Sequence, residues 1–228
     1  MNVSLLSEKD AQYVKSFFEE KLENPVEILV FTAAEGDELA ARKNPYLNDN
    51  LELIQAVGAL SDKLSVRVLR QGTDDEMFQR YGIHSIPATV LLGAGEVDYG
   101  IRFYGIPAGY EFRTLMDDLV DVSRGTTSLS PKTKEALQTL AVDAHFQVFV
   151  TPTCPYCPKA VRLAHQFAIE SPRVRADMVE ATEFPEWAGR YNVYGVPKTV
   201  INEVEELEGA VPEEMFLEAL LRATAVKA

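Results

Sequence analysis

The sequence predicts an α/β protein built from two tandem units, each with a mixed central sheet flanked by helices. Three observations indicate this architecture. Apolar residues at helical spacing alternate with short β-branched and aromatic runs along the 228 residues. Residues 81–90 and 191–200 share the pattern Tyr-x-(Ile/Val)-x-x-(Ile/Val)-Pro-x-Thr-Val. Between them, Arg124–Ser128 has linker composition, so we expect the units to span residues 1–124 and 125–228.

The first unit shows clear start, stop and turn signals. Ser7 is a helix N-cap, Asn24-Pro25 ends that helix, and Gly93–Gly95 forms a turn between two strands. The predicted elements, in order, are helix Ser7–Leu22, strand Val26–Phe31, helix Asn48–Leu60, strand Leu64–Leu69, a strand led by Pro87, strand Ile101–Tyr104 and helix Tyr110–Val122.

The second unit repeats this order. Ser130-Pro131 begins its first helix, with proline at the first helical position where its missing N–H costs least. The predicted elements are helix Ser130–Leu140, strand Phe146–Val150, a helix after Cys154 that reaches Phe167, strand Val174–Val179, a short helix at Pro185–Tyr191, a strand led by Pro197, a strand near Leu207 and helix Pro212–Ala225.

The two units differ between their first strand and their proline-led strand. The first unit has about nine additional residues there. It contains no cysteine, and Ala33–Glu38 stands where the second unit has Cys154-Pro155-Tyr156-Cys157. We therefore expect the first unit to be chemically silent, yet its full apolar pattern predicts that it folds and packs against the second.

Charge and hydropathy exclude several classes of partner. The 22 basic and 35 acidic side chains give a net charge of −13, which repels phosphate backbones and anionic lipid. No apolar run approaches membrane-spanning length, and residues 1–10 do not resemble a signal peptide. We expect a cytoplasmic protein with no nucleic-acid or membrane partner.

The two cysteines, Cys154 and Cys157, lie at a predicted strand-to-helix turn. Free N–H groups and the positive end of a helix dipole favour thiolate over thiol at such a turn. A disulfide closing so small a ring would stabilise the fold by only about 2 kcal/mol, so a structural role is disfavoured. Metal and cofactor sites are not predicted, because the histidines form no second ligand pair and no partner for them is readable; these are His84, His145 and His165.

Position assigns roles within this dithiol. Cys154, at the turn, is expected to attack a disulfide, and Cys157, one turn further in and partly covered, to resolve the mixed disulfide. Pro155 stiffens the loop, while Tyr156 is either exposed or packed against the turn. Trp187 and the tyrosines in general are expected in the core rather than at the site.

A dithiol after a strand, followed later by an Ile/Val-Pro before another strand, resembles the thioredoxin superfamily. Two such units in tandem are similar to the glutaredoxin-like protein disulfide oxidoreductases. The most specific pieces are Cys154–Cys157, Tyr104–Phe112 and the prolines Pro87 and Pro197. The resemblance implies that both prolines are cis and that Val196, before Pro197, offers its backbone to bound polypeptide. Pro87, with no thiol near it, is expected to be structural.

The sequence departs from that family in two respects. The missing dithiol of the first unit argues against a relay between units. Gly195-Val196-Pro197 and a single Gly209 replace the Thr-Val-Pro and Gly-Gly of glutathione-binding glutaredoxins, so glutathione is not indicated.

These patterns favour a thiol–disulfide oxidoreductase that acts on protein disulfides and receives electrons from a thioredoxin-reductase-like flavoprotein. Two alternatives stay open at this stage. One is a dedicated electron-transfer module for a peroxiredoxin or a flavoprotein reductase. The other is a non-catalytic binding module whose dithiol senses oxidation. The direction of electron flow is not specified by the sequence.

Overall fold

A computed structural model describes residues 6–225 and contains two successive sets of helices and strands. The first set is α1 Glu8–Lys21, β1 Val26–Thr32, α2 Glu38–Lys43, α3 Leu47–Gly58, β2 Leu64–Arg70, α4 Asp75–Arg80, β3 Ala88–Gly93, β4 Val97–Tyr104 and α5 Glu111–Arg124. The second set is α6 Pro131–Gln138, β5 Ala144–Val150, α7 Cys157–Glu170, β6 Val174–Glu180, α8 Pro185–Arg190, β7 Lys198–Ile201, β8 Glu205–Glu208 and α9 Glu213–Ala225.

One mixed sheet of eight strands runs through the molecule, in the order β2-β1-β3-β4-β6-β5-β7-β8. Within each half, two strands are parallel and the other pairings are antiparallel. The halves join where β4 pairs in parallel with β6, from Ile101 opposite Ala176 to Tyr104 opposite Val179. The predicted α/β architecture is confirmed, and the two expected sheets are continuous with each other.

Helices cover both faces of this sheet, and the apolar core on each face crosses the join. On one face, Phe18 and Ile28 of the first half belong to the same buried cluster as Phe146 and Phe167 of the second. On the other face, Phe31 and Phe149 share a smaller cluster. Burial of this apolar surface is the main stabilising contribution, and it couples the two halves.

Local signals in the sequence explain several helix boundaries. The hydroxyl of Ser7 accepts a hydrogen bond from the Asp10 N–H at 3.1 Å, and Ser130 does the same for Thr133 at 3.2 Å. Gly125, with φ of 66°, ends α5 in the left-handed conformation that glycine adopts readily. The predicted caps at Ser7 and Ser130 are confirmed.

The short helix α2 was not predicted. It lies within the additional residues of the first unit and has no buried side chain, so it shows no apolar periodicity. Asp37 caps it by accepting a hydrogen bond from the Ala40 N–H at 3.0 Å. The described part of the chain contains no helix that is both long and apolar enough to cross a membrane.

Candidate active site

Cys154 and Cys157 form a disulfide at the start of α7, with their Cα atoms 5.5 Å apart. Strand β5 ends at Val150, and the Thr151 carbonyl accepts a hydrogen bond from the Cys154 N–H at 3.1 Å in the turn that follows. The predicted strand–turn–helix placement of the dithiol is confirmed.

The two sulfurs have different surroundings. Cys154 lies three residues before the first residue of α7 and is 8% exposed, whereas Cys157 is completely buried. The Cys157 N–H points at the Cys154 sulfur from 3.1 Å. A backbone donor at a helix N-terminus stabilises negative charge on that sulfur. The expectation that Cys157 is only partly covered was wrong, because the first turn of α7 packs it into the core.

Val196 and Pro197 approach the dithiol from the loop before β7. The carbonyl oxygen of Val196 lies 3.7 Å from the Cys154 sulfur. The Val196–Pro197 and Ile86–Pro87 peptide bonds are both cis, which confirms that prediction. The Pro197 carbonyl is occupied by the Gly209 N–H at 2.8 Å, which ties this loop to the end of β8.

Exposed side chains surround Cys154. Pro155 is exposed, and Tyr156 is 70% exposed, so the first of the two alternatives for Tyr156 holds. Tyr194, two residues before Val196, is 94% exposed. The expectation that the other tyrosines belong to the core was wrong for Tyr194 and for three more; these are Tyr13, Tyr46 and Tyr110.

A loop of the first unit completes the surroundings of the turn. The Tyr110 N–H donates a hydrogen bond to the Pro152 carbonyl at 3.0 Å, two residues before Cys154. Gly109, with φ of 61°, lies so close that a Cβ atom there would be 2.2 Å from the same carbonyl oxygen. Only glycine fits this contact, so the first unit touches the active-site turn directly.

Glu111 follows Tyr110 as the first residue of α5 and is buried. Helices α5 and α7 lie side by side in the same direction, because Tyr110 meets Pro152 and Asp121 meets Arg162. Glu111 is therefore at the same end of the helix pair as Cys157. Burial raises the pKa of Glu111 to about 7, and the nearby Asp118 adds to the rise against a hydrogen bond from Thr114.

Further along the same two helices, a buried ionic cluster joins the units. The carboxylate of Asp118 contacts the Arg162 guanidinium and the His165 ring, the latter at 2.5 Å between Oδ2 and Nδ1. A second Arg162 nitrogen is 2.5 Å from Asp121. His165 is completely buried and also packs edge-on against Phe103 at 4.9 Å between ring centroids.

The other two histidines also have partners. His145 Nε2 is 2.6 Å from the buried Asp177, and the His84 ring lies against Trp187 and Tyr104 at 4.8 and 5.2 Å. Each of these three histidines contacts a residue distant in sequence, so its partner could not be predicted from local sequence patterns. Within residues 6–225, no group of three or more His, Cys, Asp or Glu side chains is arranged to hold a metal.

Sequence reasoning missed Glu111 and the Asp118 cluster. Glu111 and Asp118 belong to the first unit, whereas the dithiol belongs to the second. The only available signal was the Tyr104–Phe112 segment, which resembles the disulfide oxidoreductase family but has no function assigned to it by the sequence pattern. The corresponding turn of the first unit, Ala33–Glu38, leads into α2 and carries no sulfur.

Comparison with known proteins identifies relatives of the whole molecule and of its second half. The thioredoxin domain family matches residues 144–222. The F subunit of alkyl hydroperoxide reductase from Xanthomonas campestris pv. phaseoli is 26% identical over 152 residues, which are 67% of this chain and 27% of that protein. An NADH dehydrogenase of Bacillus subtilis (strain 168) is 23% identical over 72% of this chain and 30% of its own length. The chain thus spans less than a third of the length of these two curated relatives.

Two solved structures match nearly the full chain. The NTD_N/C domain of alkylhydroperoxide reductase AhpF from Enterococcus faecalis (V583) has a TM-score of 0.84 and 26% identity, covering 94% of this chain and 99% of that one. A protein disulfide oxidoreductase from Aeropyrum pernix k1 has a TM-score of 0.86 and 31% identity, covering 96% and 94%. The chain therefore belongs to the protein disulfide oxidoreductases with two tandem thioredoxin folds, and its redox-active cysteine pair lies in the second of them.

Proposed function

We propose that this protein exchanges electrons with disulfides of other proteins through Cys154 and Cys157. The observation that carries the proposal is the Cys154–Cys157 disulfide at the start of α7, in which Cys154 is slightly exposed beside the Val196 carbonyl and Cys157 is completely buried. An accessible sulfur next to a free backbone edge suits an extended polypeptide that adds as a strand. Val196, Pro197, Pro155 and Tyr156 are the proposed substrate contacts.

The reduced protein would react in two displacements. The Cys154 thiolate attacks one sulfur of a substrate disulfide, forms a mixed disulfide and releases the other substrate sulfur as a thiolate, which takes up a proton. Cys157 then loses its proton and attacks the Cys154 sulfur. This step closes the Cys154–Cys157 disulfide and releases the second substrate thiolate. Two electrons pass from the protein dithiol to the substrate, and an external reductant must restore the dithiol.

Glu111 is the proposed acceptor for the proton that Cys157 loses. A thiol as deeply buried as Cys157 gives up its proton reluctantly, because burial disfavours the thiolate. Glu111 is buried at the same end of the helix pair and has its pKa raised to about 7. A carboxyl with a pKa near neutrality can both accept and return a proton.

The partners proposed are protein disulfides and, as electron donor, a thioredoxin-reductase-like flavoprotein. The likeness to the F subunit of alkyl hydroperoxide reductase supports a second candidate, a dedicated electron-transfer module for a peroxiredoxin or a flavoprotein reductase. Residues 1–124 and 125–228 are proposed as the two units, although residues 1–5 and 226–228 lie outside the described part. The cytoplasmic location and the glutaredoxin-like character stay predictions.

Reduction of insulin by dithiothreitol tests the proposal. The full chain should accelerate precipitation of the insulin B chain, and the Cys154→Ser variant should not. Turnover of one redox partner but not of insulin would support the dedicated module instead. A protein that turns over neither would be a redox sensor, and the proposed oxidoreductase activity would be wrong.

A further inference from the structure

A cavity of about 740 Å³ lies between the two halves, and its lining includes neither Cys154 nor Cys157. We name it the seam groove; its lining includes Leu39, Ser85, Ile86, Phe184, Trp187 and Arg190. Four facts about its walls bear on what it binds: the backbone groups it offers, its apolar surface, its charge and its place relative to Cys154. From them we propose that the seam groove is a second polypeptide-binding site, which holds an extended segment with an apolar side chain and performs no redox chemistry.

The backbone of Ser85 and Ile86 offers free hydrogen-bonding groups to the seam groove. Within residues 6–225, no hydrogen bond uses the N–H or C=O of either residue, and both side chains are only half-buried. These residues match Gly195 and Val196, and the Val196 carbonyl lies 3.7 Å from the Cys154 sulfur in the second unit. An extended segment can therefore pair with the first unit by strand addition, as proposed for the second.

Apolar side chains from both units face the groove. Leu39 is 67% exposed on α2, a helix that buries none of its side chains. Opposite, Trp187 of α8 is held edge-on against Tyr104, with ring centroids 5.0 Å apart. An exposed leucine and a fixed aromatic ring in the walls of one cavity provide apolar surface, against which an apolar side chain gains free energy by leaving water.

The charges of the groove favour a polypeptide over a phosphate-bearing ligand. Three acidic side chains, Asp37, Glu183 and Glu186, line it together with two basic ones, Lys43 and Arg190. This mixture gives no positive surface of the kind that phosphate needs. Backbone hydrogen bonding and apolar burial remain as the sources of affinity, and an extended polypeptide can provide both.

The groove and the dithiol lie at the same edge of the sheet. Glu183, in the groove wall, donates its N–H to Glu180 at 2.6 Å, and Glu180 is paired with Val150 at the end of the strand that precedes the dithiol. The Asn44 side chain also donates to Glu183 at 2.8 Å, which fixes the end of α2 to the second unit. A polypeptide held in the groove is thus kept near Cys154, which raises its effective concentration there.

The single tryptophan of the chain reports directly on occupancy, because Trp187 is in the groove wall. The experiment titrates the full-length Cys154→Ser protein with reduced, carbamidomethylated insulin B chain, a probe that has no thiol or disulfide. We expect a saturable change in tryptophan emission. Leu39→Asp should weaken binding about tenfold, since a leucine that becomes buried contributes that much or more.

The matched control is Leu221→Asp, which changes an exposed leucine on α9 outside the groove and should leave the dissociation constant unchanged. A flat titration would overturn the proposal, as would equal weakening by both substitutions. Because the probe carries no sulfur that can exchange, the result does not depend on oxidoreductase activity. Failure of insulin reduction and failure of groove binding are therefore separate outcomes.

Discussion

The turn after β1 and the turn after β5 occupy the same place in the two units, yet the helices that follow them differ. After β5, Cys157 begins a helix of 14 residues, of which ten are buried. After β1, Asp37 caps a helix of six residues with none buried. A long buried helix supplies both the dipole and the dry environment that tune a thiol. A thioredoxin-like scaffold alone therefore does not make a redox site.

The first unit has no sulfur site of its own but contributes to that of the second. Tyr110 holds the Pro152 carbonyl, Glu111 lies at the Cys157 end of the helix pair, and Asp118 pairs with buried groups of α7. The two units are thus unequal in chemistry and dependent on each other in structure.

Among the expected effects, the largest is the loss of disulfide exchange when either cysteine of the second unit is substituted. Cys154→Ser should abolish disulfide exchange, because it removes the accessible sulfur that the Cys157 N–H stabilises. Cys157→Ser should instead accumulate mixed disulfides with substrate, since nothing resolves them. Mass spectrometry of substrate adducts distinguishes the two variants, and limiting iodoacetamide should label Cys154 first in the reduced protein. Preferential labelling of Cys157 would reverse the assigned roles.

Removal of the first unit should have the next largest effect. A fragment that begins at Thr127 loses the β4–β6 pairing and leaves Arg162 and His165 without Asp118. We expect its melting temperature to fall by about 15 °C or more, because breaking a buried ion pair is strongly destabilising.

The same fragment should lose efficiency on insulin more than on a small aromatic disulfide, which needs only the dithiol. Thermal unfolding and rates on both substrates, each compared with the full chain, measure these effects. Equal rates and an unchanged melting temperature would show that the first unit is dispensable.

Two neighbouring aspartates sharpen the comparison further. Asp118→Ala removes the buried partner of Arg162 and His165, and should lower the free energy of unfolding by about 3 kcal/mol. The control Asp117→Ala breaks only an exposed pair with Arg113, and should change it by about 0–1 kcal/mol. Urea denaturation of both variants measures the difference. Similar losses for the two would mean that the buried cluster does not join the units.

The first residues of α5 and α9 predict opposite pH dependences. Burial raises the pKa of Glu111 from 4.5 to about 7. Between those pH values the folded protein therefore binds more protons than the unfolded chain. The contribution of protonated Glu111 to the free energy of unfolding is complete below pH 4.5 and is lost as the pH rises to about 7. In Glu111→Gln, the free energy of unfolding should no longer show this fall between pH 4.5 and 7, which amounts to roughly 3 kcal/mol.

Glu213 is the control. Burial raises its pKa, but hydrogen bonds from Thr133 and Ser130 outweigh burial and lower it below 4.5. Its contribution is present above pH 4.5 and is lost as the pH falls, so Glu213→Gln should not flatten the profile between pH 4.5 and 7. Unfolding free energies at several pH values measure both variants.

In Glu111→Gln, Cys157 should also resolve mixed disulfides more slowly near pH 7. An unchanged rate would exclude Glu111 as the proton acceptor.

Local patterns predicted the parts of the molecule that depend on neighbouring residues. The dithiol after an apolar strand, the two Ile/Val-Pro segments and the helix caps at Ser7 and Ser130 were all found where the sequence indicated. Helix α2 gave no signal because it buries nothing. The burial of Glu111 and the partner of His165 were not predictable, because both arise only when α5 packs against α7.

The join between β4 and β6 is made between unlike edges, and this bears on self-association. In the repeated order, β6 corresponds to β2 and β4 to β8, so the outer edges of the finished sheet are the counterparts of the two edges already joined. Head-to-tail contacts between molecules form rings when the rotation between them closes, and otherwise continue into filaments. The β8 edge opposes such growth: it is only four residues long, and three of them are glutamates, namely Glu205, Glu206 and Glu208. A short edge strand rich in acidic residues is one of the features by which proteins discourage the pairing of a further strand.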